Sequence, residues 1–285
     1  MKQASAFLLV ALLALPATAQ IATGDENWRL RAEGSQGANA NPARIDAAIA
    51  AYRAAITAEP SSLEARWKLA RAFWFKGKYT TSNNETKKTI FLQARNFTQE
   101  ALTLLEKTLK SRGIAGLDKA SNEAVAKASR AIPHAGDTFY WDSVAWGEWA
   151  VAFGKMAAVR QGAADRILHS STIAMLIDPM IGAGGGERVL GRLHNQTPRV
   201  PFVTGWASDK LAVKYLKQSL SREPGDKVTK VFLAEAMVAE SSTNKKAAIA
   251  LLREVLNTPD DPAFAVEHAG AQSDARKLLA DWGVK

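Results

Sequence analysis

The chain has 285 residues, of which 47% are hydrophobic and 23% charged, with a formal net charge of +9 and no cysteine. That length and composition belong to a globular protein able to bury its own core, and the lack of cysteine excludes a disulfide scaffold, thiolate metal sites and a cysteine nucleophile. Excess positive charge favours anionic partners in general, but Lys and Arg are scattered among acids, with only short pairs such as Lys87-Lys88 and Lys245-Lys246. Nucleic acid is therefore not an expected partner.

At the N-terminus Lys2 precedes ten apolar residues, Ala6 to Leu15, followed by Pro16 and the small-x-small sequence Ala17-Thr18-Ala19. This is the layout of a secretory signal peptide with cleavage after Ala19. The run is too short for a membrane span, which needs roughly 20 apolar residues. Residues 1–19 are accordingly expected to be a signal peptide and 20–285 one exported domain, periplasmic or secreted. No cysteine is available for acylation, so a lipoprotein is not expected.

Beyond this segment apolar residues recur at helical spacing, and no stretch alternates with period two, so the expected fold class is all-α. The clearest unit runs from Ala47 to Tyr79. Ala48, Tyr52, Ala55 and Pro60 have the small, aromatic, small, proline order of the second helix of a tetratricopeptide repeat. Leu69, Ala70, Phe73, Gly77 and Tyr79 match the first helix of the next repeat. Ala48 and Leu69 are 21 residues apart, the separation that a period of about 34 residues requires.

A polar turn at Thr80 to Glu85 and a helical insert to Phe97 then interrupt the pattern, and Ala101 is the best match for the next small position. A helix is expected over Ala120 to Ala131, a break at Pro133-His134-Ala135-Gly136, a long aromatic helix from Asp137 to Val159, and another from Ala164 to Ile177, closed by Asp178-Pro179. Ala212, Leu216, Ser219 and Pro224 repeat the second-helix pattern, with Leu233-Ala234 following 21 residues after Ala212. Ala247, Leu251 and Pro259 begin a third pass, and Ser273 to Trp282 is expected to cap the array. The expectation is a tetratricopeptide-like helical repeat array, an α-solenoid of about ten to twelve helices with irregular insertions. Ala48, Ala55, Ala212 and Ser219 would lie at its tightest contacts.

Three segments stand out as candidates for function. Gly182-Ala183-Gly184-Gly185-Gly186 leads into a helix carrying Arg188, Gly191 and Arg192. Glycines before a helix can cradle an anion, but this run lacks the Lys-Ser/Thr of a phosphate loop, and Glu187 stands where the dinucleotide fingerprint needs glycine. Gly184, Gly185, Gly186 and Gly191 are better read as a sharp turn and close packing. Thr197 to Trp206 is an insertion between helices with two prolines, a natural binding or packing arm. Phe139 to Phe153 holds Tyr140, Trp141, Trp146 and Trp149, and its tryptophans are either core or the wall of an apolar cleft. If Trp141 and Trp149 line a cleft, Arg188 and Arg192, four apart and on one helix face, could hold a ligand carboxylate at its mouth. Otherwise they pair with Glu187 or neighbouring helices. The histidines, His134, His169, His194 and His268, lack metal-ligand spacing, and there is no Gly-x-Ser-x-Gly elbow. No metal, cofactor or catalytic residue is expected, and the chain is not read as an enzyme.

Taken together, the Tyr140-Trp141 helix, the Asp178-Pro179 turn, the glycine-rich stretch into Arg188-Val189-Leu190-Gly191-Arg192, the proline-containing loop, and then Asp209, Ala212 and Leu216 resemble the T component of TRAP transporters. The resemblance runs from about Ile45 to Pro259, and its most specific parts are the aromatic helix and the glycine-rich segment. It implies a periplasmic helical protein that pairs with the substrate-binding subunit of a transporter, holds an apolar or amphipathic small molecule in a cleft or pore, and forms a homo-oligomer. Tyr140, Trp141 and Trp149 match the family's aromatic helix, and Gly185, Gly186, Arg188, Leu190, Gly191 and Arg192 its glycine-rich helix start. Several relatives are lipoproteins, a feature this chain cannot share. The ligand-binding candidates are thus Tyr140, Trp141, Trp149, Arg188, Arg192 and Trp206. A dry aromatic cleft around Trp141 and Trp149 would favour the transport accessory. An open concave groove with polar walls would favour a cell-envelope scaffold that holds a peptide.

Overall fold

The computed structural model describes residues 16–284, and the apolar run Ala6 to Leu15 lies outside them. Among the described residues there are thirteen α-helices, two short 3-10 turns and no strand. The helices are α1 (Ala17–Arg29), α2 (Pro42–Ala58), α3 (Leu63–Tyr79), α4 (Asn84–Ser111), α5 (Asn122–Ser129), α6 (Ala135–Phe153), α7 (Lys155–Arg160), α8 (Ala163–Ile177), α9 (Gly185–Gln196), α10 (Asp209–Arg222), α11 (Lys227–Glu240), α12 (Lys245–Asn257) and α13 (Ala265–Asp281). Short polar residues fix many of the starts. The side chains of Asn41, Ser62, Asn83, Ser121, Ser208 and Asp226 each accept a hydrogen bond from a backbone N–H in the first turn, satisfying donors that the helix itself leaves unpaired.

The helices pack in two layers. α3, α6, α9, α11 and α13 touch one another in succession and form the inner layer. Each outer helix fills the angle between two inner ones: α4 between α3 and α6, α8 between α6 and α9, α10 between α9 and α11, and α12 between α11 and α13. α2 lies between α1 and α3 in the same way. The repeat positions explain how such close pairs form, because Ala48, Ala55, Ala212 and Ser219 are all fully buried.

The array turns far enough for its two ends to meet. Val266 on α13 joins the same apolar cluster as Phe75, Tyr79 and Ala145. Arg31, just after α1, pairs with Glu267 on α13 at 2.7 Å, with side chains only 4% and 8% exposed. Its guanidinium also donates to the Ala263 carbonyl at 2.6 Å and lies 4.5 Å from the Trp28 ring centre, 5.4 Å from Phe264 and 5.6 Å from Phe75. The last helix therefore covers α11 and α12 at the end of the array, as expected of Ser273 to Trp282, and its first turns also close the array onto α1 and α3.

Several expected boundaries shift for identifiable reasons. The long aromatic helix ends at Phe153, not Val159, because Gly154 takes a φ of 87° and starts the separate helix α7. The helix expected over Ala120 to Ala131 is shorter, with Ser121 as its cap. The insert after Tyr79 is not a separate element but the first half of the 28-residue α4, which carries Ala101 in its buried face. The last helix begins at Ala265, after a 3-10 turn at Pro262–Phe264, eight residues before Ser273. The expected cleavage after Ala19 would remove the first turn of α1, whose Ala17 packs with Ile21, Ala55 and Ala65.

Ala55 tests the register directly. It is wholly enclosed between α1, α2 and α3, so Ala55→Leu is expected to lower unfolding stability by about 1–3 kcal/mol through overpacking. Urea denaturation measures this, and an unchanged midpoint would contradict the assigned contact.

Candidate binding site

The glycine-rich segment is a packing device. Gly184 adopts a left-handed φ of 76° directly above Ser219, where a Cβ would lie 3.0 Å from the Ser219 Cα. A Cβ on Gly185 would come within 2.5 Å of the Tyr140 ring, on Gly186 within 3.0 Å of Met175, and on Gly191 within 2.5 Å of Leu216. These four glycines let α9 enter between α6, α8 and α10. Glu187 is buried within this packing and faces Arg222 at 3.5 Å.

The two arginines of α9 are held by neighbouring helices. Arg188 bonds to Asp226, the cap of α11, at 2.5 Å and donates to the Tyr140 hydroxyl at 3.1 Å. Arg192 pairs with Glu235 on α11 and lies 4.4 Å over the Phe232 ring. Both charges are thus already matched, as the structural alternative for this pair anticipated.

The tryptophans of α6 are core. Tyr140, Trp141 and Trp149 are 6%, 9% and 4% exposed. Trp149 stacks on Phe153 with centroids 4.8 Å apart, and the Arg95 guanidinium sits 4.7 Å from the Trp146 ring and 4.5 Å from the Trp149 ring. Trp206 packs edge-on against His194 at 5.3 Å and joins the same cluster as Trp149 and Leu193. The structure therefore does not gather the six sequence candidates around one cleft. Of the α6 tryptophans, Trp141 alone reaches a tryptophan of α3, lying 5.7 Å from Trp74.

A different row lies along α3. Trp67, Arg71, Trp74 and Lys78 fall at helical spacing, are all partly exposed, and face α1 and α6. Arg71 lies 4.0 Å over Trp28 and 5.0 Å over Trp67. The Trp67 ring lies 6.4 Å from His134. Trp74 donates its indole N–H to Glu148 at 3.2 Å, and Lys78 reaches the same carboxylate at 3.4 Å. Burial raises the Asp137 carboxyl above its ordinary range, opposed by His134, Arg71 and Lys68. This row went unread in the sequence, although two tryptophans alternating with two cations at positions i, i+4, i+7 and i+11 of one helix were visible there.

At Lys78 the row opens into a cavity of about 360 Å³ between the two halves of the closed array. One wall carries Asn39, Lys78, Tyr79 and Lys87, and the other Val228, Val231, Phe232, Ala271, Ser273 and Asp274. Burial, reinforced by the carboxylates of Glu267, Glu148 and Asp274, holds the Tyr79 hydroxyl well above its usual pKa. Lys87 makes no ion pair among the described residues.

No family model and no curated protein matches the chain. Among solved structures, it is similar to a thermophilic tetratricopeptide protein from Thermus thermophilus, with a TM-score of 0.51 and 18% identity, covering 90% of this chain and 98% of that one. The fold is tetratricopeptide-like. The inner layer of this array carries both the α3 row and the cavity.

The position of α6 in this surface depends on Asp142. Its carboxylate accepts from Thr98 on α4 at 2.8 Å and from Ser170 on α8 at 2.7 Å. Burial pushes its pKa up to about 6, with those two hydrogen bonds holding it back. Because the folded pKa lies above the unfolded value of about 3.9, the folded state binds the proton more tightly. Stability therefore falls as pH rises from about 4 to about 6 and stays lower above that. Across this window the parent should lose up to about 3 kcal/mol relative to Asp142→Asn. Urea denaturation at several pH values measures the difference, and parallel profiles for the two proteins would contradict it.

Proposed function

We propose that the protein is an exported interaction scaffold of the cell envelope that holds a peptide segment of a partner in the groove of its closed array. The observation that carries this reading is the cavity beside Lys78 and Lys87. It has a cation without an ion pair on one wall and an apolar surface of Val228, Val231 and Phe232 on the other. An acidic side chain or terminal carboxylate of a peptide would meet Lys87, and a neighbouring apolar side chain would rest on Phe232. The tetratricopeptide-like fold supports it, since inner faces of such arrays serve as extended binding surfaces. The tryptophans of α6 would then hold the inner layer in place and make no direct contact with the partner.

The transport-accessory reading rests on the same cavity. Its volume of about 360 Å³ lies in the range of small-molecule sites, about 300–1,000 Å³. In that reading the occupant is a carboxylate-bearing amphiphile, and a periplasmic substrate-binding protein is the partner.

Selection from a displayed peptide library on the purified protein separates the two. Peptides with a carboxylate beside an apolar residue are expected. Lys87→Glu and Ser273→Trp, both away from the core, should each weaken them by at least about tenfold while leaving the melting temperature unchanged. If no peptide binds and native mass spectrometry finds a retained fatty acid instead, the scaffold reading fails and the ligand carrier takes its place.

A further inference from the structure

Among the described residues, six of the eight exposed large hydrophobic side chains fall in two short segments. Val151, Met156 and Val159 surround the end of α6 and α7, and Val200, Phe202 and Val203 lie in the loop between α9 and α10. Each segment leaves an inner-layer helix for its outer partner, so both emerge on the same edge of the array. The side chain of Asn84, at the start of α4, donates to the Ala152 carbonyl at 3.4 Å, which places the α3–α4 connection on that edge as well. Trp206 of the loop and Ala157 of α7 pack against one cluster, built around Trp149 and Leu193.

The loop is built to present its tip. The Thr204 hydroxyl accepts from the Val200 amide at 3.1 Å and donates to the Pro198 carbonyl at 2.5 Å. The amides of Val203 and Thr204 both donate to the Val200 carbonyl, at 3.1 and 2.9 Å. Phe202 takes a φ of 62°, a left-handed conformation unfavourable to an aromatic residue, and its ring is fully exposed. A braced turn that holds a phenylalanine in water is the reverse of what burial alone selects.

The charges around Val151, Met156 and Val159 are mainly positive, while beside the loop Arg199 is paired with Asp209. Between residues 151 and 166, Lys155, Arg160 and Arg166 accompany the single acid Asp165. Lys155, Arg160 and the nearby Lys210 make no ion pair among the described residues. A second copy seated on this edge would bring like charges together, whereas an anionic lipid surface would neutralise them. No described helix is long and apolar enough to cross a membrane.

We propose that this edge docks on an anionic phospholipid bilayer, with Met156, Val159, Phe202 and Val203 entering the headgroup boundary and Lys155 and Arg160 on the lipid phosphates. Apolar tips beside cations are the combination that binds such interfaces.

The test is flotation of the full chain with vesicles of phosphatidylcholine alone and of phosphatidylcholine mixed with phosphatidylglycerol. Binding to the mixed vesicles is expected. Phe202→Asp combined with Met156→Asp should weaken it on the order of 100-fold, and Lys155→Glu combined with Arg160→Glu should weaken it about tenfold and remove the preference for anionic lipid. All four positions are exposed, so unchanged melting temperatures should accompany these losses. The N-terminal apolar run is present in every variant, so differences among them report on the edge. The proposal is overturned by failure to bind either vesicle, or by binding that the Phe202→Asp, Met156→Asp variant leaves intact. It is equally overturned if that variant abolishes self-association in a chain that ignores lipid, which would make the edge a contact between copies.

Discussion

The buried pair of Arg31 and Glu267 is the contact on which the rest of this architecture depends, because it joins the two ends of an array that would otherwise stay open. A buried ion pair is not stabilising by default, since removing two charges from water costs several kcal/mol per ion. Here that cost is offset by the surroundings. The guanidinium is bonded to Glu267 and to the Ala263 carbonyl and is enclosed by Trp28, Phe75 and Phe264. Aromatic faces attract a desolvated cation, so the same rings that exclude water also replace part of what water supplied. Specificity follows from this arrangement: α13 can return to α1 and α3 only in the register that places Glu267 beside Arg31.

Closure creates the candidate site. The cavity has walls drawn from residues 38–87 and from 228–274, and neither half encloses it alone. Gly270 allows α13 to approach the Tyr79 ring, where a Cβ would stand 3.1 Å away. The tryptophans of α6 serve the same end from below. Trp146 and Trp149 meet edge-on and share the Arg95 guanidinium, filling the middle of the inner layer, while Asp142 ties α6 to both of its outer neighbours.

Much of the fold was legible in local pattern. The spacing of Ala48, Ala55, Ala212 and Ser219 identified the contacts between paired helices, because close approach demands small side chains at a fixed period. The glycines before Arg188 were readable as a turn for the same reason. The site was less legible. Trp141 and Trp149 are compatible with either core or cleft in sequence, since burial depends on α4, α8 and α9 arriving from elsewhere in the chain. The row Trp67, Arg71, Trp74 and Lys78 had a helical signature, but only the neighbouring inner helices define which way it faces. Closure had no signature at all: Arg31 and Glu267 are 236 residues apart, and no period links them. Gly154, a single residue with left-handed backbone, was enough to break a helix that apolar periodicity would have carried on.

Closure of the array is the claim most in need of a direct measurement, and the absence of native cysteine makes one straightforward. Spin labels attached through Gln36→Cys and Ser273→Cys would sit on the two sides of the junction, one on the α1–α2 connection and one on α13. Double electron–electron resonance on that variant should give a single short and narrow distance distribution, unchanged on dilution. A long or broad distribution would mean that the ends do not meet in solution, and the cavity between them would lose its second wall.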